Sequence, residues 1–221
     1  AAIDGGANRL IIGIGGSATN DGGAGMAQAL GIRFFDEMQR LMKPGIAGGD
    51  LGHVQRIDTA ERLIELDATE VLVACDVQNK PVGASGAVAV YAPQKGASPQ
   101  QVDALERNLL HFCDVIERDL AIPVKRLKGG GAAGGLGAGL CAFAGGKLIS
   151  GIDLVIEATG LLQHLAGADL VITGEGRIDA QTLAGKAPSG VATAASRLGV
   201  PVVAVGGVDG FLQFGLLGKQ G

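Results

Sequence analysis

Aromatic residues are scarce. Phe, Tyr and Trp together make up 3% of the 221 residues, with no Trp and one Tyr, while hydrophobic residues reach 47%. A core built from this chain must be aliphatic and rich in small residues. Cysteine is also sparse. Cys75, Cys113 and Cys141 are odd in number, widely spaced and outside any CxxC, which argues against a disulfide framework or a zinc site and fits a reducing cytosol. His53, His111 and His164 are equally scattered, with no metal-ligand spacing. Both sets read as ordinary core or surface residues. Positive charge is not in excess: the net charge is −4 and no basic stripe is visible, so nucleic acid is not an expected partner. No apolar run is long enough to span a membrane and no charged n-region opens the chain. A cytoplasmic protein without a membrane partner is the expectation.

What the chain does have is glycine, 39 of 221 residues, against a typical usage of about 7%. There is no Gly-X-Y period, so collagen is excluded. The glycines cluster beside apolar runs, as in loops where backbone approaches backbone or ligand closely. The length suits one large α/β domain or two small ones. The opening AAIDGGANRL places Gly5 and Gly6 like a helix C-cap, and the far end, FLQFGLLGKQG, shows no closing element. A piece of a longer protein is the simplest expectation.

Leu10 to Ile14, Ile32 to Phe35, Val71 to Ala74 and Val88 to Tyr91 read as strands, and Gly22 to Leu30 as a small-residue helix. Residues 43–56 read as a polar excursion. The clearest helix starts at Ser98, where Ser98 and Gln101 form a capping box with Pro99 at the first helical position. Val102, Leu105, Leu109, Phe112, Ile116 and Leu120 then recur at helical steps; this face should pack on a sheet. Ile152 to Leu165 reads as helical, with strand open for its LVI stretch. The last third reads as a βαβ unit: strand Leu170 to Thr173, helix Thr182 to Leu198, strand Val202 to Val205, the strands parallel.

Five segments can carry chemistry. In LIIGIGGSATNDGG (10–23) a strand feeds a glycine-rich turn and a helix. Gly15 and Gly16 offer backbone amides, and Ser17, Thr19, Asn20 and Asp21 add hydroxyl, amide and carboxylate groups, a set suited to phosphate or carboxylate. The same residues also suit a plain capped turn. Gly13, Gly15 and Ala18 fit G-x-G-x-x-A as well, with Asp36 where a ribose-binding acid would stand, so a nicotinamide-dependent hydroxyacid dehydrogenase is an alternative. In VLVACDVQN (71–79), Asp76 and Asn79 follow a strand end and suit a metal or a hydroxyl, or simply a turn. Lys95, in APQKGAS (92–98), suits phosphate or solvent. The tract GGGAAGGLGAG (129–139) suits either close approach to a nucleotide or a hinge between domains. In DLVITGEGRIDAQTLAGKAPSGVA (169–192), Glu175, Arg177, Asp179 and Lys186 crowd the loop after a strand, an excess of charge for a plain connection. A surface salt-bridge cluster is the other reading.

Taken in order, GIGGSATNDGGAGMAQALG (13–31), VACDVQN (73–79), APQKGAS (92–98), GAAGGLGAG (131–139) and DLVITGEGRIDAQTLAGK (169–186) resemble the glycerate kinase family of the bacterial class I glycerate 2-kinase type. The resemblance crosses most of the chain and implies a piece short of the family at both ends. Lys80-Pro81-Val82-Gly83 stands where the family has a Pro-Leu-Cys-Gly-like stretch. The implied fold is α/β: a mixed α/β domain, here 1–150, inserted in a Rossmann-like parallel α/β domain, of which 151–221 would be part. The implied reaction moves the γ-phosphoryl of ATP, with Mg²⁺, to a hydroxyl of D-glycerate. The product would be 2-phosphoglycerate, or 3-phosphoglycerate as the alternative. Phosphoryl transfer then casts Asp179 or Asp21 as base and Asp76 and Glu175 as Mg²⁺ carboxylates. Arg177, Lys186 and Lys95 become phosphate or carboxylate contacts, and the 13–20 loop an anion cradle. A homo-oligomer stays open, as does an inactive truncated ligand-binding domain.

Overall fold

The computed structural model describes residues 1–176, 187–208 and 211–216. The chain is mixed α/β and divides into two compact units, Ala1–Ile149 and Ser150–Gly221. It opens on a turn closed at Gly6. Gly6 is left-handed (φ 85°), Ala7 N donates to Ala2 O at 3.1 Å, and Gly6 N donates to Ile3 O at 2.8 Å. These are the paired bonds of a Schellman cap, as the GG pair implied.

In the first unit, β1 (Arg9–Gly13), β4 (Glu70–Ala74) and β5 (Lys147–Ile149) form a parallel sheet in the order β1-β4-β5. The register sets Leu10 beside Val71 and Gly13 beside Ala74. Val71 and Val73 on β4 are buried with Leu140 of α4 (Leu136–Ala144) in one cluster. Helix α1 (Ala24–Ala29) follows β1. β2 (Arg33–Phe35) and β3 (Arg56–Asp58) form a separate antiparallel pair.

Helix α3 (Pro99–Leu120) is the longest element, and its start is as read: Ser98 Oγ accepts from Gln101 N at 3.3 Å, and Gln101 Oε1 accepts from Ser98 N at 2.8 Å. Its apolar face buries Leu109, Phe112 and Ile116. Polar groups on the same helix join it to the small sheet: Asp119 accepts from Ile57 N at 2.8 Å. Three of the six phenylalanines meet here. Phe34, Phe112 and Phe143 meet pairwise with ring centroids 5.6–6.0 Å apart. Replacing Ser98 by Ala should lower unfolding stability by about 1 kcal/mol in urea titration. An unchanged midpoint would mean that the cap is idle.

Val88–Tyr91 is not a strand. Ala87–Tyr91 is a helical turn, α2. Ala92 N donates to Val88 O, and Ala87, Val88 and Ala92 are buried while Val90 is 42% exposed. That is helical periodicity. A short apolar run carries no periodicity long enough to tell helix from strand. The 129–139 tract is no hinge between units, since it lies wholly within the first. Its 3₁₀ turn Ala132–Gly135 leads into α4. A Cβ on Gly134 would overlap the Thr19 carbonyl oxygen and stand 2.7 Å from Asn20 Cα; one on Gly139 would overlap the Gly22 carbonyl oxygen and stand 3.0 Å from Gly23 Cα. These glycines let the two glycine-rich segments pack backbone against backbone.

In the second unit, α5 (Gly151–Ala158) and α6 (Leu161–Leu165) are separated at Gly160, whose φ is 62°. β6 (Val171–Glu175), α7 (Ala187–Arg197) and β7 (Val202–Val208) make the expected βαβ unit, with β6 and β7 parallel. β8 (Phe211–Leu216) adds antiparallel to β7. Leu165, Ala194, Ala195, Val200 and Val202 form its core.

Candidate active site

β1 and β4 end together, and both chains leave the sheet at that edge. A cleft of about 290 Å³ opens there, lined by Ile14–Ser17, Ala74–Val77, Tyr91, Gln94, Lys95, Ala132 and Ala133. Ligands of open α/β sheets gather at this place, beyond the carboxyl ends of the strands. The volume suits a small ligand. Gly13, Gly15 and Gly16 differ from the crowded second tract: a Cβ on any of them would meet nothing within 4 Å. Packing does not require these three. Gly16 is held by its left-handed φ of 68°, and Gly15 leaves room in the cleft wall. Ala133, on the opposite wall, holds φ 54° without being glycine, a strained conformation of the kind that collects at functional sites.

Lys95 ends the 3₁₀ turn Pro93–Lys95, closed by left-handed Gly96. Its Nζ donates to Ser17 Oγ at 3.0 Å and to Thr19 O at 2.6 Å. The ammonium thus joins the APQKG segment to the GGSAT segment. Burial pushes its pKa below the ordinary lysine value, and the Asp21 carboxylate partly opposes this. A partly desolvated, oriented ammonium is well suited to an anionic ligand.

The amides that open α1, beyond the 13–20 loop, are engaged within the chain. Asp21 accepts from Gly23 N at 3.2 Å and Gly25 N at 3.3 Å, and Ala24 N donates to Asp21 O. The chain's own carboxylate satisfies these amides, and Asp21 is not among the cleft-lining residues. Thr19 Oγ1 accepts from Asp21 N at 3.2 Å. Asn20 lines a neighbouring hollow that shares Lys95, and its Oδ1 is buried without a hydrogen-bond partner.

The structure therefore brings together Gly15, Gly16, Ser17, Lys95 and Asp76, the last exposed at the cleft. Asn79 stands back from it; its Nδ2 donates to Ser85 O at 2.8 Å and its Oδ1 accepts from Tyr91 Oη at 2.6 Å. Glu175 is the last residue of β6, in the second unit. Arg177, Asp179 and Lys186 lie outside the described residues. Among the described residues no group of three or more His, Cys, Asp or Glu is placed to hold a metal ion.

Sequence reasoning missed Tyr91, Gln94, Cys75 and the Ala132-Ala133 wall. Gln94 stood inside the APQKGAS segment, and Tyr91 was hidden by the strand assignment. Nothing local marks Ala133 as left-handed. Cys75 Sγ lies 3.4 Å from Val77 O and 3.5 Å from Gly129 O. Burial pushes its thiol up, as it does Cys141, to about 11, and Cys113, to about 12. All three thiols stay protonated at neutral pH and are poor nucleophiles.

The dinucleotide alternative loses its geometry. Asp36 accepts from Met38 N and Arg40 N, each at 2.9 Å, and from Arg40 Nε at 2.8 Å. It directly follows β2, which pairs with β3 and not with β1. Asp36 therefore does not stand beside the glycine turn on a strand next to β1, where the ribose-binding acid of that motif is needed.

Comparison with known proteins agrees with the motifs. The family profile described as the glycerate kinase family matches residues 1–211. A glycerate kinase of Halalkalibacterium halodurans is 51% identical over 206 residues, covering 93% of this chain and 54% of the relative. The glycerate 2-kinase of Escherichia coli K12 is 47% identical over 206 residues, with the same coverage of 93% and 54%. The crystal structure of a protein described as glycerate kinase 2 from Salmonella typhimurium LT2 superposes with a TM-score of 0.83 at 49% identity, again over 93% of this chain and 54% of that one. The chain thus spans about half the length of the relatives it matches. No helix among the described residues is long and apolar enough to cross a membrane. The chain belongs to the glycerate kinase family.

Proposed function

We propose that the protein catalyses ATP-dependent phosphorylation of D-glycerate, forming 2-phosphoglycerate, with 3-phosphoglycerate as the regiochemical alternative. One observation carries the reading: in a chain of this family, an oriented ammonium and an exposed carboxylate line one cleft at the ends of two parallel strands. Phosphoryl transfer needs little covalent help from the protein. It needs positioning, spread of negative charge and an acceptor for the hydroxyl proton.

Lys95 supplies charge for the glycerate carboxylate or a phosphate, and Ser17 orients Lys95. The open space at Gly15 and Gly16 admits the ligand close to backbone. Asp76 is the cleft carboxylate for Mg²⁺, and a Mg²⁺ role for Glu175, at the end of β6, is part of the same proposal. Mg²⁺ commonly takes one or two protein carboxylates plus phosphate oxygens and water, so a ready-made cage is not needed. When bound with ATP it neutralises phosphate charge. Asp179 is assigned as base in preference to Asp21, whose oxygens are engaged by Gly23 and Gly25. Arg177 and Lys186 are proposed as further contacts to phosphate or carboxylate. The same reading makes the protein a cytoplasmic, magnesium-dependent transferase acting on small molecules, with a homo-oligomer open.

The test is ADP formation from ATP, Mg²⁺ and D-glycerate, by this chain and by a family-length form. Enolase reads the product, because it dehydrates 2-phosphoglycerate directly and 3-phosphoglycerate only after a mutase. Glycerate-dependent ADP with an enolase signal is expected. Absence of glycerate-dependent ADP from both forms would remove the proposal.

A further inference from the structure

We infer that the Tyr91 hydroxyl and the Asn79 carboxamide form a positioning clamp, which holds the loop carrying Asp76 at a set distance from the turn carrying Lys95. The inference rests on the phosphotransfer reading of the cleft. Residues 75–86 contain neither helix nor strand, so no ladder of backbone bonds fixes them. Single bonds hold them instead, some from backbone, as where Ala87 N donates to Lys80 O at 3.0 Å, and some from side chains, as where Gly83 N donates to Glu106 Oε1 at 2.6 Å. Asn79 Nδ2 donates to Ser85 O at 2.8 Å, and Asn79 Oδ1 accepts from Tyr91 Oη at 2.6 Å, a short bond. The Asn79 backbone is pinned as well: Gly131 N donates to Asn79 O at 2.9 Å, at a glycine where a Cβ would stand 2.9 Å from that same oxygen. Asn79 therefore joins three walls of the cleft: the β4 exit loop, the end of α2 and the second glycine tract. Four residues after Tyr91 comes Lys95. Tyr91 itself lines the cleft, and burial pushes its phenol up, so the hydroxyl remains a donor to Asn79. An error of about 1 Å in the placing of reacting groups costs on the order of a hundredfold in rate. A side-chain strut at this point is where such an error would arise.

The experiment compares wild type with Tyr91→Phe, Asn79→Leu and the double variant. Turnover is measured on a family-length form, and amide hydrogen exchange on this chain. The clamp predicts a fall in kcat of about 10–100-fold for each single variant, with the double variant no worse than the weaker single. It also predicts faster exchange confined to residues 76–86, and a thermal midpoint within about 2–4 °C of wild type. Asn79→Asp keeps an acceptor for the phenol and should retain more turnover than Asn79→Leu. Unchanged loop exchange in Tyr91→Phe overturns the clamp. So does faster exchange throughout the unit with kcat per folded molecule unchanged, which is what a purely structural bond would give. If wild type itself forms no ADP, the phosphotransfer reading fails while the exchange measurement still decides whether the clamp exists.

Discussion

Replacing Lys95 by Met should lower kcat/KM for glycerate by about 10²–10³-fold, the usual cost of losing one oriented charge donor at a reacting anion. The physical basis is the position of Nζ, held by Ser17 Oγ and Thr19 O at the cleft. Lys95→Arg keeps the charge but not the compact ammonium geometry, and should recover only part of the loss. Near-wild-type kcat/KM in Lys95→Met would remove Lys95 from the ligand site. The pH dependence adds a second check. Burial lowers the pKa of this ammonium, so anion binding through it should fade with rising pH earlier than an ordinary lysine would allow. Stability runs the other way. Between the lowered folded value and the ordinary unfolded one, the unfolded chain binds the extra proton, so the Lys95 contribution to stability rises with pH. Activity and stability should therefore diverge on the alkaline side, and Lys95→Met should abolish that divergence.

The largest effect on folding is expected at Gly134. An alanine there must adopt φ 68°, and its Cβ must overlap the Thr19 carbonyl oxygen, with backbone on both sides. Left-handed strain costs about 1–2 kcal/mol. Displacing a packed backbone adds enough to put the total above about 4 kcal/mol, in the exceptional class for one substitution. Gly145→Ala is the matched control: its φ is 67°, but nothing lies within 4 Å of the Cβ, so it should lose only the conformational part. Urea titration of both decides the point. Equal losses would mean that backbone approach between the two glycine tracts contributes nothing. Because Thr19 O also holds Lys95, a milder substitution at the same contact should loosen the ligand site before it unfolds the protein.

Much of this was legible in the linear chain where the signal is local. The Ser98-Pro99-Gln101 start of α3 needs only four adjacent residues, and its apolar face repeats over 22. Six turns of periodicity leave little room for error. The five residues of α2 carried no such repeat, and their β-branched content pointed the wrong way. The glycine tracts were visible as tracts, but their roles were not. Gly15 and Gly134 look alike in sequence. One faces open space and the other meets the Thr19 carbonyl.

The order of residues alone settled the family, the α/β class, the cap and length of α3, the Gly6 turn and the parallel β6-β7 pairing. Each rests on short-range chemistry or on motifs kept in order. The assembled fold decided the rest: that Lys95 reaches Ser17 across 78 positions, that Asp21 serves its own helix, that Asn79 grips Tyr91 and that Asp36 follows a strand of a different sheet. Those outcomes depend on which distant segments the sheet brings side by side, and the backbone reports that only once its strands have paired.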